Sequence, residues 1–185
     1  MKQLVYILVL GILVISCKTQ SSIVTSKEEA KSKGIYSYKE DKNAKTGKKS
    51  SGKKNSKNSL AYQIIDKAMD YEGVQYRTGG TTKSGMDCSG LVYTTFKSFD
   101  IDVPRTSSSL ANQGKKISKN SALPGDLIFF KTNKSRQINH VGLITEVNSD
   151  EIKFVHSSTS KGVIISSTKE PYYQRSFSQV NRILQ

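Results

Sequence analysis

Hydrophobic and polar positions divide the chain into three unlike stretches. An unbroken apolar run from Leu4 to Ile15 follows Lys2 and gives way to Ser16 and Cys17. Polar residues then dominate from Lys18 to Ser59, with neither a helical nor a strand period. From Leu60 onward the apolar residues recur at structure-forming spacing. Leu60, Ile64 and Ala68, with Ile65 and Met69, share one face of a helix, which Asn58 or Ser59 is suited to cap. The glycines of the segment 76–85 predict a loop. Cys88 to Phe99 predicts a second helix, with Leu91, Val92, Thr95, Phe96 and Phe99 along its inner stripe. The remainder reads as strands: 126–130 after a Pro124-Gly125 turn, 140–147 and 152–156 around a polar turn, 163–165, and 180–184. Helices followed by a run of antiparallel strands predict an α+β fold.

Charge sharpens the division. The 185 residues carry 29 Lys+Arg against 15 Asp+Glu, a net charge of +14. Twelve Lys against four Asp+Glu fall in 18–59, a net of +8. Such a Lys- and Ser-rich stretch buries too little apolar surface to offset its ordering entropy, so 17–59 is expected to be a disordered tether. Its aromatics stop at Tyr36 and Tyr38, which argues against nucleic acid; the stretch reads first as a solvated linker with no specific partner, and otherwise as a spacer whose charge is attracted to anionic lipid or wall polymers. The segment 60–185 carries 16 Lys+Arg and 11 Asp+Glu and is long enough for a single core.

The apolar run has the length of a signal-peptide core and is too short to span a bilayer comfortably. Val14-Ile15-Ser16-Cys17 resembles a bacterial lipobox. That resemblance implies a signal peptide over 1–16, cleavage before Cys17 and a lipid on the Cys17 thiol. Acylation at more than one point would give stable anchoring. The expected location is a bacterial membrane, the periplasm-facing outer membrane above others. A Cys17–Cys88 disulfide is the alternative; with Cys17 lipidated, Cys88 is left as a lone thiol in an oxidising compartment.

Cys88, His140 and His156 are the rare residues of 60–185 suited to nucleophilic catalysis, and the two histidines are the only ones in the chain. Cys88 stands where the Gly-rich loop meets the second helix, whose N-terminus favours a thiolate. A neighbouring imidazole would lower the thiol pKa further and protonate a leaving amine, and a third polar group would fix its tautomer. The histidines share a sheet face if the loop joining their strands is odd. A loop over 147–151 sets residue 142 opposite 156, makes His140 its diagonal neighbour and leaves room over Gly142 for the His156 ring. An even loop over 148–151 separates them unless a bulge intervenes. A zinc site of His140, His156 and Cys88 is the competing constellation, but the spacing matches no compact zinc motif. No metal or other cofactor is expected.

Asp87-Cys88-Ser89-Gly90-Leu91-Val92, preceded by Val74-Gln75-Tyr76-Arg77-Thr78-Gly79-Gly80, resembles the nucleophile region of the NlpC family of bacterial cell-wall cysteine peptidases. Val103-Pro104-Arg105-Thr106-Ser107, the segment 123–130, His140-Val141-Gly142 and the later His156 follow in the family's order. The resemblance covers about 60–185. It implies a papain-like fold, with the Cys on a helix packed against an antiparallel sheet. It also implies hydrolysis of an amide in peptidoglycan stem peptides, between D-Glu and the diamino acid. By the same resemblance Cys88 is the nucleophile, His140 the general base and His156 its orienter, while the Tyr76 hydroxyl and the Cys88 N–H hold the oxyanion. Asp87 and Ser89 resemble residues that bind a stem-peptide amine, helix capping being the competing role for Asp87. Arg77 and Arg105 are candidates for substrate carboxylates. The fuller members carry an SH3-like targeting domain, where this chain shows the tether.

The expectation is therefore a lipid-anchored cysteine endopeptidase acting on stem or cross-link peptides. The alternatives are an inactive wall-binding or scaffolding lipoprotein, and an amidase or acyltransferase on the same fold.

Overall fold

The structure is a computed structural model that describes residues 59–184. The expected signal peptide (1–16), Cys17 and nearly all of the expected tether (17–59) lie outside the described residues, as does Asn58.

Two helices come first. α1 (Leu60–Met69) buries Ile64, Ile65, Ala68 and Met69, the face set by its apolar spacing. Ser59 has extended backbone at its N-cap but makes no side-chain capping bond. A two-stranded hairpin, β1 (Thr81–Thr82) and β2 (Gly85–Met86), occupies the segment expected to be loop. α2 (Cys88–Lys97) begins at Cys88 and buries Leu91, Val92, Thr95 and Phe96. It ends before Phe99, which packs on the core from the following turn.

After a single-turn helix α3 (Ser107–Leu110) and a short strand β3 (Lys115–Ile117) come the long strands. They are β4 (Leu127–Phe130), β5 (His140–Val147), β6 (Ile152–Ser158) and β7 (Gly162–Ser167). A short helix α4 (Pro171–Ser176) and the strand β8 (Phe177–Arg182) complete the chain. The six-stranded sheet runs in the order β3-β8-β4-β5-β6-β7, and each neighbouring pair is antiparallel.

Alternation along these strands feeds two apolar clusters, one on each face. Leu127, Phe129, Val141, Leu143, Val155 and Val163 pack with α1 and α2. Ile128, Phe130, Ile144, Ile152, Phe154 and Val180 pack on the other face, with Tyr173 of α4. Burial on both faces explains why β4 reads as an unbroken apolar run. His140 and His156 share the parity of this second cluster, so α2 covers one face of β5 while the imidazoles lie on the other.

The β5–β6 register is the feature that brings the histidines together. Val147 pairs with Ile152, which leaves an even loop over 148–151. Between Ile144 and Glu146 the register shifts, so that Ile144 pairs with Phe154 and Leu143 with Val155. The extra residue is Thr145, and the bulge restores the parity that an even loop removes. Gly142 is used differently from the expectation: a Cβ there would lie 2.6 Å from the Phe154 ring, not against His156.

Candidate active site

Cys88 is a free, buried thiol at the first turn of α2. The turn is set by Asp87, whose Oδ1 accepts the Gly90 N–H at 2.6 Å. Gly90 is required here, since a Cβ would stand 2.0 Å from the Gly80 carbonyl oxygen. The Cys88 sulfur lies 3.4 Å from the Ser107 hydroxyl and 3.9 Å from the Asn139 carbonyl oxygen. It also meets the backbone of Val141. The sulfur is thus held against both residues that flank His140.

Asn139 is held in turn by Thr132. Its Oδ1 accepts the Thr132 N–H at 2.8 Å and the Thr132 hydroxyl at 3.0 Å, and its amide donates to the Thr132 carbonyl at 3.2 Å.

The imidazoles of His140 and His156 meet edge to face, with centroids 5.0 Å apart. His140 Nε2 and His156 Nδ1 are 2.9 Å apart, and the Tyr173 hydroxyl is 3.2 Å from His156 Nε2. Nε2 is thus the nitrogen of His140 engaged by His156. Burial holds the His140 pKa down at about 4 and drives that of His156 well below the ordinary range, with the charge of His140 adding to the effect.

Burial also pushes the Cys88 thiol up, against the opposing Ser107 and backbone hydrogen bonds. The direction is opposite to the depressed thiol pKa expected at a helix N-terminus, with desolvation of the buried sulfur as its largest cause.

Asp87, Ser89 and Arg105 form one knot. Arg105 donates to both Asp87 carboxylate oxygens, at 2.9 and 2.8 Å, and to the Ser89 hydroxyl at 2.9 Å. The Ser89 hydroxyl donates to Asp87 Oδ1, and the Gly79 N–H to Oδ2. Burial pushes the Asp87 pKa up, but the Arg105, Gly90 and Gly79 donors outweigh it and hold the carboxyl below its usual range. Asp87 therefore has its oxygens filled by capping and ion pairing. Arg77 stands outside the knot with an exposed side chain.

Tyr76 is half-buried and bridges to Met86. Burial first, then the nearby Cys88 and Asp87 charges, raises its hydroxyl pKa, so it is a proton donor at neutral pH. A cavity of about 360 Å3 opens beside His140, with Thr132, Ser158, Lys161, Glu170 and Tyr173 among its walls. The described residues hold no group of three or more His, Cys, Asp or Glu side chains arranged for a metal ion.

Two partners escaped the sequence reading. Ser107 belongs to a quoted motif but carried no assigned role, and it meets the sulfur only because α3 folds beneath α2. Tyr173 is one of nine tyrosines. Pro171 could have signalled the helix that carries it, since Pro suits a first helical turn. Nothing in the spacing links it to His156.

A thiol at a helix N-terminus, packed against the backbone around a histidine whose ring is held by a polar chain, has the parts needed for nucleophilic attack on a carbonyl and proton delivery to a leaving group. The NlpC/P60 family model matches residues 73–182. The chain is 41% identical over 123 residues to an Escherichia coli K12 protein named murein DD-endopeptidase MepS/murein LD-carboxypeptidase, covering 66% of this chain and 62% of that one. It therefore spans less than two thirds of that relative's length. It is 43% identical over 121 residues to the probable endopeptidase NlpC of Escherichia coli K12, covering 65% and 76%. The crystal structure of an NlpC/P60 family protein from Bacillus cereus ATCC 10987 superposes with a TM-score of 0.61 at 28% identity, over 69% of this chain and 41% of that one. A catalytic-type helix carrying the Asp-Cys-Ser-Gly turn, an antiparallel sheet and a family match across both agree: this chain belongs to the NlpC/P60 family.

Proposed function

We propose that this chain is a cysteine peptidase that hydrolyses an amide bond in the stem or cross-link peptides of peptidoglycan. One observation carries the reading. The Cys88 sulfur sits against the backbone on both sides of His140, and His140 is oriented by a 2.9 Å contact to His156.

In this reading the Cys88 proton passes to His140 Nδ1 as the sulfur attacks the carbonyl carbon. The tetrahedral oxyanion is held by the Cys88 N–H and the Tyr76 hydroxyl. The proton on Nδ1 then goes to the departing amine, leaving a thioester on Cys88. Water, deprotonated by the same nitrogen, releases the acid and restores the thiol. A pair that rests neutral suits general-base attack, because His140 holds a free lone pair at neutral pH.

Arg77 and Arg105 are proposed to meet substrate carboxylates, since Arg77 is exposed and the Arg105 side chain is 33% exposed. For Asp87 and Ser89 to bind a stem-peptide amine, the amine must displace part of the knot around Asp87. The bond implied by the resemblance lies between D-Glu and the diamino acid. The name of the first Escherichia coli relative supports a second reading, cleavage of the DD cross-link.

Incubation of the detergent-solubilised chain with defined monomeric and cross-linked muropeptides, beside Cys88→Ala, tests the reading by product mass. Gain of one water across a single peptide bond, absent in the variant, supports it and names the bond. Intact substrate in both samples points to a wall-binding lipoprotein. Cleavage at the glycan–peptide linkage points to an amidase, and peptide exchange without net hydrolysis to an acyltransferase.

Residues 1–16 are proposed as a lipoprotein signal peptide, Cys17 as the lipidated residue, 17–59 as the tether and 60–185 as the catalytic domain, facing the periplasm from the outer membrane. The apolar run and the sequence around Cys17 support this. Labelled palmitate should enter the wild type and not Cys17→Ser, which should leave the membrane fraction.

A further inference from the structure

We propose that Tyr173 is a positioning residue that fixes the proton on His140, by accepting a hydrogen bond from the Nε2–H of His156. The proposal rests on the peptidase reading above, in which His140 Nδ1 takes the thiol proton.

The relevant groups run in series. His140 Nε2 and His156 Nδ1 are 2.9 Å apart, and His156 Nε2 and the Tyr173 hydroxyl are 3.2 Å apart. His156 is 0% exposed and Tyr173 8% exposed. Phe154 lies 5.2 Å from His156 and Phe130 5.1 Å from Tyr173, centroid to centroid. A ring N–H that lacks its acceptor here stays unsatisfied, at the full desolvation penalty.

The series can be wired in two directions. In one, Tyr173 donates to His156 Nε2, His156 Nδ1–H donates to His140 Nε2, and the His140 proton sits on Nδ1. That imidazole presents an N–H to a sulfur, a weak acceptor, and has no lone pair for the thiol proton. In the other, His140 Nε2–H donates to His156 Nδ1, and His156 Nε2–H donates to the Tyr173 oxygen. His140 Nδ1 then carries the lone pair. Only the second direction survives protonation: the imidazolium formed in attack bears a proton on each nitrogen, so His156 must accept at Nδ1 and keep its own proton on Nε2. The Tyr173 hydroxyl, 3.2 Å from that nitrogen, is the side-chain acceptor placed for this proton. No proton leaves the imidazolium along the chain; Tyr173 acts through His156 and never touches the reacting atoms.

Long-range nitrogen–proton NMR of the wild-type chain at neutral pH should find His156 protonated on Nε2 and His140 on Nε2. Protonation of His156 on Nδ1 would overturn the proposal. Tyr173→Phe should lower kcat about ten- to hundredfold with little change in KM, the range set by one lost buried hydrogen bond. In a His156→Asn background the amide oxygen accepts from His140 without a second proton to place. There Tyr173→Phe should change kcat by less than about twofold, a non-additive pair. Equal losses in the two backgrounds would show packing alone and refute the role. Should Tyr173→Phe fail to fold, the wild-type tautomer decides. Absence of hydrolysis by the wild type would defeat the peptidase reading, while the tautomer remains measurable apart from turnover.

Discussion

His140 Nε2 and His156 Nδ1 lie 2.9 Å apart although the loop joining their strands has even parity. The single-residue bulge at Thr145 reverses the alternation of β5, so that both rings emerge on the face shared with Phe130, Phe154 and Tyr173. A simple ladder with the same loop would have placed the two imidazoles on opposite faces of the sheet.

The level of β5 next to the histidines depends on Gly142. Gly142→Ala would drive a methyl into the Phe154 ring, whose centroid is 5.2 Å from that of His156. Overpacking of this kind costs about 1–3 kcal/mol. Urea melts should show that loss, and hydrolysis should fall more than stability requires at temperatures where the variant is folded. A variant with wild-type stability and turnover would refute this account of the contact.

Asp87→Ala removes the cap of α2 and leaves Arg105 without its carboxylate partner. The cap is worth about 1 kcal/mol, and the ion pair adds up to about 1 kcal/mol once the one-third exposure of Arg105 is discounted. Because the folded-state pKa is depressed, the Asp87 contribution is present above the ordinary carboxylate range and is lost as pH falls through the folded value. The stability gap between wild type and Asp87→Ala should therefore narrow in acid, and a gap independent of pH would contradict it.

The two histidines impose a second acid dependence. Each is held neutral in the fold, with its pKa below the unfolded value. Between about pH 6.5 and the folded value near 4 for His140, the unfolded chain binds protons that the native state does not. Stability should thus fall as pH drops through that window and level off above it, the sign following from the greater proton uptake of the unfolded state. For His140 the drop from 6.5 to about 4 corresponds to on the order of 3 kcal/mol, and His156 adds in the same direction. His156→Asn should flatten the curve between pH 7 and 5 in thermal melts; an unchanged slope would count against buried neutral histidines.

Alkylation of Cys88 should show a midpoint above that of an ordinary thiol, since burial raises its pKa. Ser107→Ala deletes the hydrogen bond that opposes the effect and should move the midpoint higher still. Rates of iodoacetamide modification against pH read this directly. A midpoint well below pH 8 in the unliganded protein would mean that the imidazole overrides burial.

The sequence by itself determined the helix over Leu60–Met69, the start of α2 at Cys88, the succession of helices and then strands of an α+β domain, and the candidacy of Cys88, His140 and His156. Each of these follows from local chemistry: apolar period, the cap at Asp87, and the rarity of side chains able to act as nucleophile or base. Local chemistry could not resolve the hairpin at 81–86, the single turn that carries Ser107 or the helix that carries Tyr173, because these segments are too short for a period to show. Tertiary structure alone decided the bulge at Thr145, the filling of the Asp87 oxygens by Arg105, and the meeting of Tyr173 with His156. The physical reason is common to all three. A bulge is selected by packing on both faces of the sheet, an ion pair across 18 residues by loop closure, and the Tyr173 contact by the docking of α4 against His156, 17 residues away in sequence. The sign of the Cys88 shift belongs with them, because desolvation is a property of the whole surrounding core and not of the residues beside the thiol.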